Sequence, residues 1–284
     1  MKKPSLKIYL TFTFAVAWAI QVIVFFLYRK DAAQISQLIM AAMMWVPALG
    51  AIIAGGNLKT LGWKPQVKKN IKVILLSWFL PALLTAIGAA LYFLLFPSHF
   101  DLSGSLIATE GVMEALETQG VSYSQYILIS IIQAVTFAPV LNAFFALGEE
   151  IGWRGFMYPQ LKTQLGRRKG LIVGGIIWGI WHWPLIWLIG YEYGTGYPGY
   201  PVSGMLLFLV FSVSLGIFCD YVYEKSGSIW LPSLLHGAIN AATGIPLAVS
   251  GVGVMRLLGP APVGVIGGIG YVIVGVWLLV KSRD

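Results

Sequence analysis

Two adjacent glutamates, two of the chain's three histidines and one asparagine interrupt apolar stretches that read ALGEEIGWRGF, IIWGIWHWP and LPSLLHGAIN. An ionisable side chain inside a bilayer costs about 2.5 to 3.5 kcal/mol on insertion scales, so each marks a functional site by default. Residues four apart project from nearly the same side of a helix. Glu150 and Arg154 have that spacing and read as a buried, orienting ion pair. Glu149 is turned about 100° away from Glu150, which leaves it free as the reactive carboxylate. His236 and Asn240 are again four apart and face one cavity together, while Trp178, one turn before His182, walls it. One carboxylate, two imidazoles and a carboxamide, with no Ser or Cys nucleophile at a recognisable motif, suit hydrolysis by an activated water. Glu149 would take the water's proton, and His182 would hold the same water or shuttle the proton. His236 and Asn240 would donate hydrogen bonds to the developing oxyanion. A second use of the same side chains stays open: Glu149, His182 and His236 form a Glu-His-His zinc set with water in the fourth position, although no HExxH occurs. Each feature alone also has a purely structural use, as a helix-end anchor, a packing histidine or a polar link between helices; the three together point to a site.

The elements that carry these residues are set by composition. Of 284 residues, 58% are hydrophobic and only 11% charged, with a mean hydropathy of +0.80, against about 25% charge in a soluble domain. The fold class this implies is an all-α polytopic membrane protein formed as a single transmembrane domain over 1–284, with a catalytic core at about 126–250. Fibrous, disordered and disulfide-rich classes are excluded, and the single Cys219 makes neither a disulfide nor a cysteine metal cluster. Apolar runs of helical length predict eight spans, at 8–28, 37–54, 71–96, 126–148, 170–190, 203–223, 228–250 and 263–280. The first follows Lys2, Lys3 and Lys7 and is too long for a secretory h-region, so it reads as a retained span. Alternating the loops puts 16 of the 19 basic residues on the side of the N-terminus and only Arg29, Lys30 and Arg256 on the other. Both termini are therefore expected in the cytoplasm, and the excess of basic residues, giving a net charge of +8, needs no nucleic acid to explain it. The acidic loop 96–126, with Asp101, Glu110, Glu114 and Glu117, suits an external segment with a short surface helix.

At 1.5 Å per residue, His236 lies about 12 Å and His182 about 18 Å from the cytoplasmic ends of their spans. If the fourth helix runs on to Pro159, Glu149 lies about 15 Å from that end. Three helices thus bring Glu149, His182, His236 and Asn240 to one level, in a cavity expected to open to the cytoplasm. The small-residue pairs Gly170/Gly174, Gly175/Gly179 and Gly264/Gly268 read as close helix contacts, and Pro47, Pro81, Pro139, Pro184, Pro232 and Pro246 as sites of kinks.

These motifs resemble those of the CAAX-protease and bacteriocin-processing family, and most of all its type II CAAX prenyl endopeptidases. Glu149, Glu150 and Arg154 match the first motif. Trp178 and His182 match the second, in which the aromatic is usually Phe, and His236 with Asn240 match the third. The resemblance implies a glutamate-dependent intramembrane protease that removes the last three residues after a prenylated cysteine. Glu149 is then similar to the water-activating glutamate, His182 to its partner, and His236 with Asn240 to the oxyanion-binding pair; Asn240 favours a design without an obligatory metal cofactor. The implied partners are a prenylated CaaX protein or peptide and the surrounding membrane lipid. The implied setting is a prokaryotic plasma membrane in preference to the endoplasmic reticulum. The alternatives are a bacteriocin-immunity or abortive-infection type protein that cleaves or only binds an unprenylated peptide, and a zinc-dependent form of the protease. A secondary transporter would show paired broken helices in two similar halves, which the sequence lacks.

Overall fold

A computed structural model describes residues 4–30, 32–109 and 111–282; Lys2, Lys3, Glu110 and Arg283 of the charge count lie outside the described residues. In chain order the helices are α1 (Leu6–Tyr28), α2 (Ala33–Met43), α3 (Val46–Ile53), α4 (Val67–Leu95), α5 (Ser105–Thr109), α6 (Val112–Thr118), α7 (Tyr123–Val135) and α8 (Ala138–Gly152). One π-helical turn, Trp153–Met157, leads into α9 (Tyr158–Leu165). Then come α10 (Arg167–Trp181), α11 (Trp183–Ile189), α12 (Val202–Ser226), α13 (Trp230–Ala242), α14 (Ile245–Ala248) and α15 (Ile269–Lys281). The only strand-like pairing among the described residues is a single bridge between Phe100 and Ser250. This is the all-α polytopic membrane fold expected from composition.

The span count differs from the sequence reading. Among the described residues five helical stretches are long and apolar enough to cross a bilayer, namely Leu6–Tyr28, Gln34–Ile53, Val67–Leu95, Arg167–Ile189 and Val202–Ser226. A sixth arises if α7 and the continuous helix Ala138–Leu165, bent from it by 60°, count as one. The expected spans 228–250 and 263–280 are shorter helices instead. Gly244 and Pro246 end α13 early, and glycines and prolines from Gly251 to Gly268 keep the next stretch in turns before α15 starts. Proline lacks an amide hydrogen and clashes with the carbonyl four residues back, so these apolar runs are divided into shorter helices. The Gly264/Gly268 pair falls in those turns and packs against the backbone of residues 258–262, not between helices as expected. The acidic loop forms two short helices, α5 and α6, whose Ile107 and Leu116 cluster with Ala248.

Two close approaches place the elements that matter. A Cβ on Gly237 would come within 2.4 Å of the Ala143 backbone, so α13 lies directly on α8. One on Gly175 would come within 2.4 Å of Val213 Cα, which brings α10 onto α12. Only a residue without a side chain permits such contact.

Candidate functional site

Glu149 and Glu150 sit in the last turn of α8, and the π-helical turn begins three residues later. Such turns recur at functional sites. Glu149 is 2% exposed, and its Oε2 accepts the indole N–H groups of both Trp153, at 3.0 Å, and Trp178, at 2.7 Å. Two donors on one oxygen fix the carboxylate and leave Oε1 for a water.

Glu150 points the other way. Its Oε1 accepts Arg154 Nη1 at 3.0 Å, both side chains being fully buried, and also meets His236 Nδ1 at 2.9 Å. The orienting ion pair expected from the four-residue spacing is present, and it orients more than itself: Glu150 holds the His236 ring. The Arg154 guanidinium lies over the Trp178 ring at 4.4 Å and the Tyr158 ring at 4.9 Å, a cation–π contact on each side. Arg154 therefore backs the indole that points at Glu149.

His182 occupies the break between α10 and α11, capping the end of one helix and the start of the other. Pro184 causes that break. The His182 Nδ1 is 3.0 Å from the Trp178 carbonyl; with Nδ1–H donating there, Nε2 is left as an acceptor. Its ring packs against Trp181 and Phe208, each at 4.8 Å between centroids.

Glu149, Trp178, His182, His236 and Asn240 all line one cavity of about 230 Å³, whose other walls are largely apolar, including Met40, Phe208, Phe211 and Leu215. The four residues proposed from sequence thus converge, with Glu150 and Arg154 behind them. The third histidine, His99, is elsewhere, its Nδ1 2.7 Å from the Tyr92 hydroxyl. Sequence reasoning missed Trp153, whose signal was its position four after Glu149, and the donor role of Trp178, whose indole N–H a phenylalanine cannot supply. It also missed Glu192, which lines the cavity from the α11–α12 loop. As for zinc, no three His, Cys, Asp or Glu side chains among the described residues form a group able to hold a metal ion.

Tyr191, Glu192, Thr243 and Val263 also line the cavity, and Trp153, Arg154 and Tyr158 are fully buried.

The paired indole donors carry a prediction. Trp178→Phe is expected to lower the rate of any hydrolysis that uses Glu149 about tenfold, from the strength of hydrogen bonds to charged acceptors. Trp153→Phe and Trp178→Phe together should cost more than the product of the two single effects, because each donor compensates for loss of the other. Rates for the singles and the double, each checked for intact fold, decide this; simple multiplication would show that the donors act independently.

Residues 119–242, just under half of the chain, match the family model described as type II CAAX prenyl endopeptidase Rce1-like. That segment contains every motif residue from Glu149 to Asn240. A protein of Methanococcus maripaludis named CAAX prenyl protease 2 is 32% identical over 107 residues, which cover 37% of this chain and 39% of that relative.

Proposed function

We propose that this chain, whose residues 119–242 match the model of the Rce1-like type II CAAX prenyl endopeptidases, is an intramembrane endopeptidase that removes the C-terminal tripeptide from a prenylated CaaX substrate. The observation that carries this reading is the pinned Glu149 carboxylate, set beside two imidazoles and a carboxamide in a largely apolar cavity. Glu149 Oε1 takes a proton from water while His182 Nε2 accepts the water's other hydrogen. The hydroxide attacks the carbonyl carbon of the prenylated cysteine, and the oxyanion develops towards Asn240 and His236. His236 Nδ1 faces a carboxylate and must carry a hydrogen, so Nε2 donates when the ring is imidazolium, with Glu150 as counter-charge. The C–N bond then breaks, and the proton on Glu149 passes to the leaving amine. The apolar walls suit a prenyl chain.

Cleavage of a farnesylated CaaX peptide by the purified protein tests the reading, with the product expected to end at the prenylated cysteine. Activity that survives a strong chelator supports the glutamate–water route. Activity lost to chelator and restored by zinc would overturn it in favour of the metal-dependent form.

A second reading takes the substrate to be an unprenylated peptide, as in the bacteriocin-immunity type, and the sidedness of the chain bears on it. The charge distribution predicts that a cysteine placed at Val252, 62% exposed on the loop leading to Val263, reacts with an impermeant maleimide on intact cells. One at Lys59 should react only after permeabilisation. The native Cys219 is buried and leaves the background low. The reverse pattern would place the loop carrying Val252 in the cytoplasm and overturn the sidedness expected from the basic residues.

A further inference from the structure

One carboxylate of the cavity takes no part in the hydrolysis. Glu192 lines the same cavity as Glu149, and its backbone φ of 68° lies in the left-handed region that residues with side chains seldom adopt. A conformation of this kind persists only where the surroundings impose it, and it collects at functional sites. Here the surroundings are a closed turn. Gly190 and Gly194 flank it with φ of 68° and 71°, and the Gly194 N–H donates to the Gly190 carbonyl at 2.7 Å. The Tyr191 N–H donates to the Leu185 carbonyl at 3.2 Å, and the buried Tyr193 donates its hydroxyl to the Val263 carbonyl at 2.9 Å. Glu192 is thus set in place and is not a loose surface acid.

Its surroundings act on its charge in both directions. Burial raises the Glu192 carboxyl above its ordinary value, opposed by a hydrogen bond from Tyr191 and by the nearby Arg256 charge. No Lys or Arg is among the residues lining the cavity. The Tyr191 ring in turn lies nearly parallel to His182, 6.2 Å between centroids, so a group bound at Glu192 is held beside the reacting centre.

We propose that Glu192 selects substrates by charge, its carboxylate receiving a cationic side chain of the peptide held in the cavity and repelling an acidic one. This rests on the cavity being the peptide site, as proposed above, and applies to either substrate reading.

The test measures binding by the full-length Glu149→Gln protein of two fluorescent farnesylated peptides that differ only in Lys or Glu within the tripeptide after the cysteine. Their unprenylated forms are run alongside. The Lys peptide is expected to bind at least about tenfold more tightly, from the strength of a charge-assisted hydrogen bond, and adding Glu192→Gln should bring the two within about twofold. Adding Tyr191→Phe instead, which removes a hydroxyl but no charge, should keep the preference. A Lys-to-Glu ratio near one, or one unmoved by Glu192→Gln, overturns the proposal and leaves the substrate reading standing. Loss of preference in Tyr191→Phe also overturns it, by assigning the effect to the shape of the turn. If no peptide binds in any form, the substrate reading fails and this inference fails with it.

Discussion

Glu149→Gln is expected to lower the rate of peptide cleavage at least about a hundredfold, the range for removing a general base, while substrate binding persists. The side chain keeps its shape, and its amide oxygen can still accept the Trp153 and Trp178 indoles that hold the carboxylate at 3.0 and 2.7 Å, so the fold should be undisturbed. What disappears is the second oxygen as a proton acceptor, since the amide nitrogen that replaces it only donates. Single-turnover cleavage of a farnesylated CaaX peptide, paired with binding of the same peptide, separates the two effects. A variant within a few-fold of the parent would remove Glu149 from the role of base. A protein that only binds its peptide would show no cleavage in the parent and unchanged binding in the variant. Glu150→Gln should behave differently: it removes the counter-charge of His236 and of Arg154 together, so fold and rate should fall together.

The parts of this site that were legible in the sequence are those fixed by spacing along one helix. Glu150 with Arg154 follows from a separation of four, and Glu149 on a different face follows from adjacency; a single helix geometry decides both. His182 at a helix break was foreshadowed by Pro184, because proline's effect is local. The pairing of Glu150 with His236, at 2.9 Å and 86 residues apart, was not legible, because it depends on α13 lying against α8 through Gly237. The sequence alone marks His236 for the oxyanion and is silent on what holds its ring. Trp178 read as a wall because aromatic residues in an apolar run are ordinary; only the fold shows its N–H aimed at a carboxylate. Glu192 escaped notice for the opposite reason, since an acid in a loop usually faces solvent. The last two apolar runs form shorter helices than expected because hydropathy averages over the glycines and prolines that stop a helix.

The buried ion pair behind the site should dominate stability. Arg154→Met is expected to cost about 3 to 5 kcal/mol, the usual price of leaving one member of a buried pair unmatched. Glu150 would remain fully buried, with only the His236 ring at its Oε1. The guanidinium's contacts with Trp178 and Tyr158 would also go, freeing the indole that fixes Glu149. Replacing both partners separates these losses. In Glu150→Met with Arg154→Met no uncompensated charge is left in the interior, so most of the stability should return. Activity should not return with it, because His236 would then lack the carboxylate that sets its ring and its hydrogen. Heat inactivation in detergent, followed by both retained folded protein and residual cleavage, reads the two quantities on the same samples. If the double variant regained activity along with stability, Glu150 would be a structural partner of Arg154 alone and its contact with His236 incidental. If it regained neither, the pair's role would lie in shaping the helix junction from Glu149 to Tyr158, where the π-helical turn begins and ends.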